Sequence, residues 1–143
     1  MSNKKILDLL KLHEGFRSSV YKCSEGFYTI GYGRLVDQSL GGGITKDEAE
    51  LLLSNDVEKC KKILSNKLPF FEDLSENRKI VLIDMYFNLG NRLFKFVNTL
   101  SALENKNYDK AANEMLLSKW SKQVGQRSVT LSNMMRDDTY KIL

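Results

Sequence analysis

In "HEGFRSSVYKCSEGFYTIGYGR", residues 13–34, a helical spacing of apolar residues gives way to an alternating one. Just upstream, Ile6, Leu9, Leu10 and His13 recur at intervals of three and four. Residues 3–13 therefore read as a short amphipathic helix with Glu14 at its end. The segments "SVYKC" and "FYTIGYGRL" are rich in β-branched and aromatic residues, and "SEG" between them supplies turn chemistry, with Gly26 free to take a positive φ. In a regular strand Tyr28, Ile30 and Tyr32 share one face, whereas Phe27, Thr29 and Gly31 share the other. Thr29 thus lies beside a residue with no side chain.

Downstream the helical period returns. After the break "GGG" at 41–43, "ITKDEAE" carries a capping box: Thr45 as N-cap, Glu48 three residues on, and acids in the first turn. This helix can run to about residue 66, with Ala49, Leu53, Val57, Cys60 and Leu64 as its apolar stripe, and Pro69 closes the segment. Ser75 caps "ENRKIVLIDMYFNLG", a helix apolar nearly all round that stops at Gly90. Further helices are predicted at about 93–105, 108–121, 126–135 and 137–142. The fold class is α+β: a small antiparallel sheet near the N-terminus and a larger helical part, with the helix at about 45–66 bridging two lobes of a single domain. A ligand is expected in the cleft between such lobes.

Composition sets the limits. The chain has 143 residues, 42% hydrophobic and 28% charged, which suits one ordinary globular domain. Asp8, Lys11 and His13 interrupt the first leucines before a signal peptide's apolar core is complete, and no run approaches the roughly 18 apolar residues of a membrane span. The expectation is synthesis without an export signal. Cys23 and Cys60 stand in unlike contexts and read as reduced thiols. With His13 as the lone histidine, no metal ligand set can be assembled, and no cofactor is implied. The net charge of +4 favours anionic partners, but lysines are interspersed with acids and no concentrated basic stripe or helix-turn-helix signature exists, so nucleic acid is not an expected partner.

Residues 10–33, of the pattern LxxHEGFRxxVYKCxEGFYTIGYG, resemble the active-site segment of the phage T4-type lysozymes, the muramidase family of endolysins. That family spaces Glu, eight residues, Asp or Cys, five residues and Thr; here the three are Glu14, Cys23 and Thr29. The likeness continues in "GGGITKDEAELLLSNDVEKC", "MYFNLGNRLFKFVNTL" and "AANEMLLSKW", and so covers nearly the whole chain. Between Arg34 and Ile44 the sequence is much shorter than the family's type member, as in other short members.

The resemblance implies a lysozyme-like fold with a sheet lobe at about 14–44, a bridging helix at about 45–66, and a helical lobe of residues 67–143 that also takes in the helix at 3–13. It implies an endolysin that cleaves the β-1,4 bond between N-acetylmuramic acid and N-acetylglucosamine and lyses the host cell. Glu14 would be the general acid and Thr29 would hold the attacking water. Leu35, Phe87, Asn88 and Thr99 match saccharide-cleft positions, and Arg127 matches an arginine near the catalytic glutamate. Arg34 and Asp56 stand where the type member pairs a histidine with an aspartate, and Glu114 replaces a cleft asparagine. The departure that bears most on chemistry is Cys23, because only a few per cent of an ordinary thiol is thiolate at neutral pH. Its expected role is to orient water or to stabilise developing positive charge. A monomer is implied, with peptidoglycan as substrate. The protein would wait in the host cytoplasm until a holin permeabilises the membrane, without touching the holin, and then act on the cell wall. The alternative is a catalytically weakened peptidoglycan-binding relative with a regulatory or structural role.

Overall fold

The structure is a computed structural model that describes residues 4–22, 26, 28–32, 34–37 and 43–140; of Ile6, Leu35, Val36 and Asp37 it describes the backbone alone. The chain divides into two compact units, Met1–Leu52 and Leu53–Leu143.

In the first unit, α1 (Lys4–Glu14) is followed by β1 (Arg17–Lys22), β2 (Tyr28–Gly31) and β3 (Arg34–Asp37). The strands form an antiparallel sheet in the order β1-β2-β3. The segment read as the second arm of one hairpin is thus two strands, because the chain turns at Tyr32 after Gly31 takes φ +68°. Gly26 also has positive φ, as its turn position predicts.

α2 (Lys46–Lys67) contributes residues to both units. Its capping box forms: the Glu48 N–H donates to Thr45 Oγ1 at 3.2 Å, and the Thr45 N–H donates to Glu48 Oε1 at 2.9 Å. Of the stripe expected along α2, Cys60 and Leu64 are buried, whereas Ala49 and Leu53 are exposed.

The second unit continues with α3 (Glu76–Leu89), α4 (Val97–Glu104), α5 (Tyr108–Leu117), α6 (Lys119–Val124) and α7 (Gln126–Asp137), with 3-10 turns at Phe71–Asp73 and Gly90–Lys95. Its core brings Leu64, Phe71, Leu82, Met85, Trp120 and Met135 together. Burial of one such side chain stabilises by about 1.5–3 kcal/mol. The architecture is the α+β arrangement expected.

Three helix boundaries differ from the sequence reading. The helix expected at 93–105 is a 3-10 turn up to Lys95 and α4 from Val97 on, because Phe96 leaves helical geometry at ψ 62°. The one expected at 108–121 ends at Leu117: Ser118 turns extended, its hydroxyl donates to the Met115 carbonyl at 2.6 Å and accepts the Ser121 N–H at 3.2 Å, and α6 begins. No helix starts at 137, since α7 closes there with Asp138 left-handed at φ +54°. Asp138 is held by α3's first turn: the Ser75 hydroxyl donates to its carboxylate at 2.6 Å and the Asn77 amide to its carbonyl at 2.9 Å.

Candidate active site

Glu14 is the last residue of α1 and is exposed. Gly15, left-handed at φ +68°, donates its N–H to the Lys11 carbonyl at 3.0 Å and turns the chain into β1. The C-terminal end of a helix dipole does not favour an anion, so helix stability alone gives no reason for an acid here. Around this corner the Tyr32 ring lies 5.5 Å from that of Phe16, and the Lys11 ammonium sits 5.6 Å from its centroid. These contacts tie the last turn of α1 to the β2–β3 turn.

Thr29 stands mid-sheet, opposite Tyr21 of β1 and Leu35 of β3. At 4% exposure it is the only buried residue among the described residues of the first unit. Lys22 pairs with Tyr28 on the other face, its ammonium 5.5 Å from the ring centroid. Cys23 and the side chain of Leu35 lie outside the described residues.

Where the resemblance pointed to Asp56 as the partner of Arg34, the guanidinium is taken up by Glu48; Asp56 belongs to the other unit and is exposed on α2. Arg34 Nη1 donates to Glu48 Oε2, and Nη2 to Oε1 at 2.7 Å. The reason is pre-orientation: the Glu48 carboxylate already serves the helix cap, and both its oxygens face the fork. Hydrogen bonds from Arg34 first, then from Thr45, lower Glu48 to about 2, and the same pair pushes Arg34 above its ordinary value.

In the second unit Asn88 is exposed at the end of α3, yet its Oδ1 accepts the Trp120 indole N–H at 2.8 Å. That bond fixes the amide's orientation and leaves Nδ2 as an outward donor. The Trp120 ring meets Phe96 edge-on at 6.2 Å, and Phe96 with Thr99 and Glu114 lines a hollow of about 330 Å³. Phe87 and Arg127 line another, of about 490 Å³, together with Leu53, Ile80 and Ile83. Arg127 is held by Asp84 on α3: Nε donates to Oδ1 at 2.8 Å and Nη2 to the carbonyl at 3.3 Å. The structure therefore joins Phe87 with Arg127, and Asn88 with Thr99 by way of Trp120 and Phe96.

Three residues escaped the sequence reading. Asp84 had a signal, as the only acid within "IVLIDMYFNL". Trp120 is the chain's sole tryptophan and is buried, so its N–H had to find an acceptor. Glu48 was recognised as a cap but not as an ion-pair partner.

A helix that ends in an exposed glutamate thus leads into a small sheet whose buried central residue is a threonine. A model of the phage lysozyme family matches residues 11–137, and the chain belongs to that family. Its relatives include "Probable T4-type lysozyme 1" of Dictyostelium discoideum, 32% identical over 150 residues and covering 86% of this chain and 88% of that one. The "Endolysin" of Acyrthosiphon pisum secondary endosymbiont phage 1 is 31% identical over 120 residues, covering 84% and 80%. The "Endolysin" of Salmonella phage P22 is 30% identical over 135 residues, covering 90% and 88%.

Proposed function

We propose that this chain is a muramidase that hydrolyses the β-1,4 bond between N-acetylmuramic acid and N-acetylglucosamine in peptidoglycan and so lyses a bacterial host. The observation that carries the reading is Thr29: a hydroxyl residue, rather than a hydrocarbon, is the buried centre of the small sheet that follows the helix-end Glu14. The family match, running from residue 11 to 137, takes in Glu14, Cys23, Thr29 and Arg127 together.

The protonated Glu14 carboxyl gives its proton to the leaving glycosidic oxygen as the C1–O bond breaks. Water positioned by the Thr29 hydroxyl attacks the opposite face of the oxocarbenium-like sugar, and its surplus proton passes to solvent. Glu14 then regains a proton from water. Cys23 orients that water or stabilises the positive charge at C1. Direct attack by water inverts the anomeric centre. The substrate lies in the cell wall, reached from the host cytoplasm once a holin has opened the membrane. Among the described residues no helix is long and apolar enough to cross a membrane.

Digestion of purified sacculi, followed by borohydride reduction and mass analysis of the products, tests bond and residue together. The parent should release fragments ending in reduced N-acetylmuramic acid, and Glu14→Gln should retain less than a few per cent of the rate, since an amide cannot donate the acid proton. Reduced N-acetylglucosamine ends, or an active Glu14→Gln variant, would overturn the assignment.

A further inference from the structure

Thr29 sits where the pairing of the small sheet is least regular. Opposite it stand Tyr21 on β1 and Leu35 on β3, and both ladders break beside it. On β1, four positions separate Arg17 from Tyr21, whereas only two separate their partners Gly31 and Thr29. On β3, Val36 is an extra residue between Leu35, opposite Thr29, and Asp37, opposite Tyr28. A bulge interrupts the hydrogen bonds of a ladder and re-aims the side chains next to it, and a slip of one residue turns every side chain to the other face. Strands of six, four and four residues offer few further bonds to hold the register. Side chains must help to fix it.

On the β1 side the Arg17 guanidinium lies 4.8 Å from the Tyr21 ring centroid and so spans the irregular stretch. On the β3 side the anchor is the fork of Arg34 on Glu48, and Arg34 directly precedes the residue that faces Thr29. Glu48 is itself fixed at the start of α2, where its Oε1 accepts the Thr45 N–H at 2.9 Å. A bidentate arginine–carboxylate pair sets direction as well as distance. We propose that Glu48 is a positioning residue for the cleavage reaction: through Arg34 it holds β3 in register on β2, and so holds the Thr29 hydroxyl where it presents water to the sugar. The inference rests on the muramidase reading and deepens it. Cap and ion pair draw on one carboxylate but have separable effects, since the cap stabilises α2 and the ion pair sets the place of Thr29. With side chains 51% and 33% exposed, the pair contributes only modestly to stability, so its loss shows in the rate more than in the fold.

The test measures kcat and KM on soluble, uncross-linked peptidoglycan for the parent, Arg34→Gln, Arg34→Lys and Thr45→Ala, together with hydrogen exchange of β2 and β3 followed by mass spectrometry. Arg34→Gln should lower kcat roughly tenfold or more with KM within about twofold, since misplacing a positioned group by about 1 Å costs on the order of a hundredfold. Exchange in the two strands should quicken. Arg34→Lys, which keeps the charge but not the planar fork, should recover part of the rate. Thr45→Ala, which removes the cap hydroxyl but leaves the ion pair, should lower Tm and keep kcat within about twofold of the parent. The inference falls if Arg34→Gln keeps its kcat, if it loses rate without faster exchange, or if Thr45→Ala loses as much rate as Arg34→Gln. Should Arg34→Gln fail to fold, Glu48→Gln decides in the same way, because it keeps an oxygen for the Thr45 N–H but no charge for Arg34. Absence of cleavage by the parent would instead strike the muramidase reading, so the two failures are distinguishable.

Discussion

Replacing Arg78 with alanine should cost about 4 kcal/mol of stability in the second unit, although the residue is a charged arginine in the first turn of a helix. Its side chain is only 12% exposed. Nε donates to the Met135 carbonyl at 2.8 Å and Nη2 to the Arg136 carbonyl at 3.1 Å, satisfying the last turn of α7. The guanidinium also stacks on Tyr108, 3.5 Å from the ring centroid. Each hydrogen bond from a charged donor contributes about 1.5 kcal/mol at the low end of its range, and a largely desolvated cation–π contact adds about 1 kcal/mol. The approach to Asp138, at 3.6 Å on a partly exposed carboxylate, adds little. Arg78→Lys keeps the charge but loses the planar fork, so it should cost roughly half as much. Urea unfolding followed by the fluorescence of Trp120, the sole tryptophan and buried in this unit, reads both variants. A loss under 1.5 kcal/mol for Arg78→Ala, or no difference between lysine and alanine, would refute the argument that Arg78 caps α7.

Two further predictions concern the polar contacts of the site region. Glu48 is lowered from its ordinary 4.5 to about 2, so the stability it lends through Arg34 and the Thr45 cap is fully present above about pH 4.5 and lost as pH falls towards 2. In Glu48→Gln that acid-dependent loss should be absent, as urea titrations at pH 6 and pH 3 would show; parallel behaviour of parent and variant would contradict it. Asn88→Ala should cost about 1–2 kcal/mol and shift Trp120 emission by leaving the indole N–H without its acceptor, whereas Asn88→Asp, which keeps an acceptor oxygen, should restore most of the loss. Equal effects of the two substitutions in a thermal melt would count against it.

What the sequence discloses is largely what neighbours along the chain decide. The Thr45–Glu48 box and the Ser75 cap are three-residue chemistry, and both form. Positive φ at Gly26 follows from its place in a turn. The breaks at Phe96 and Ser118 were hidden because apolar spacing continues across them; only the capping hydroxyl of Ser118 marked the second. The end of α7 was illegible for another reason: Ser75 and Asn77, more than sixty positions earlier, hold Asp138 left-handed.

Within the site region the same division separates position from partnership. Glu14 at a helix end is a local fact and holds, whereas alternation along the strand gave Thr29 a face without saying that this face is the buried one. Which acid meets which cation depends on tertiary geometry, and there the sequence offers candidates without ranking them. Even so, one pairing was constrained by solvation. Asp84 lies on a helix whose neighbouring residues are almost all apolar, and it is half-buried. A carboxylate drawn partly out of water must recover its hydration from another donor. Among the helices that pack on α3, α7 carries a long cation near its start, and Arg127 supplies two hydrogen bonds from 43 positions away. The acid that looked out of place on an apolar helix was therefore the strongest available sign of where Arg127 would go, and that pair is what holds the arginine against the hollow it shares with Phe87.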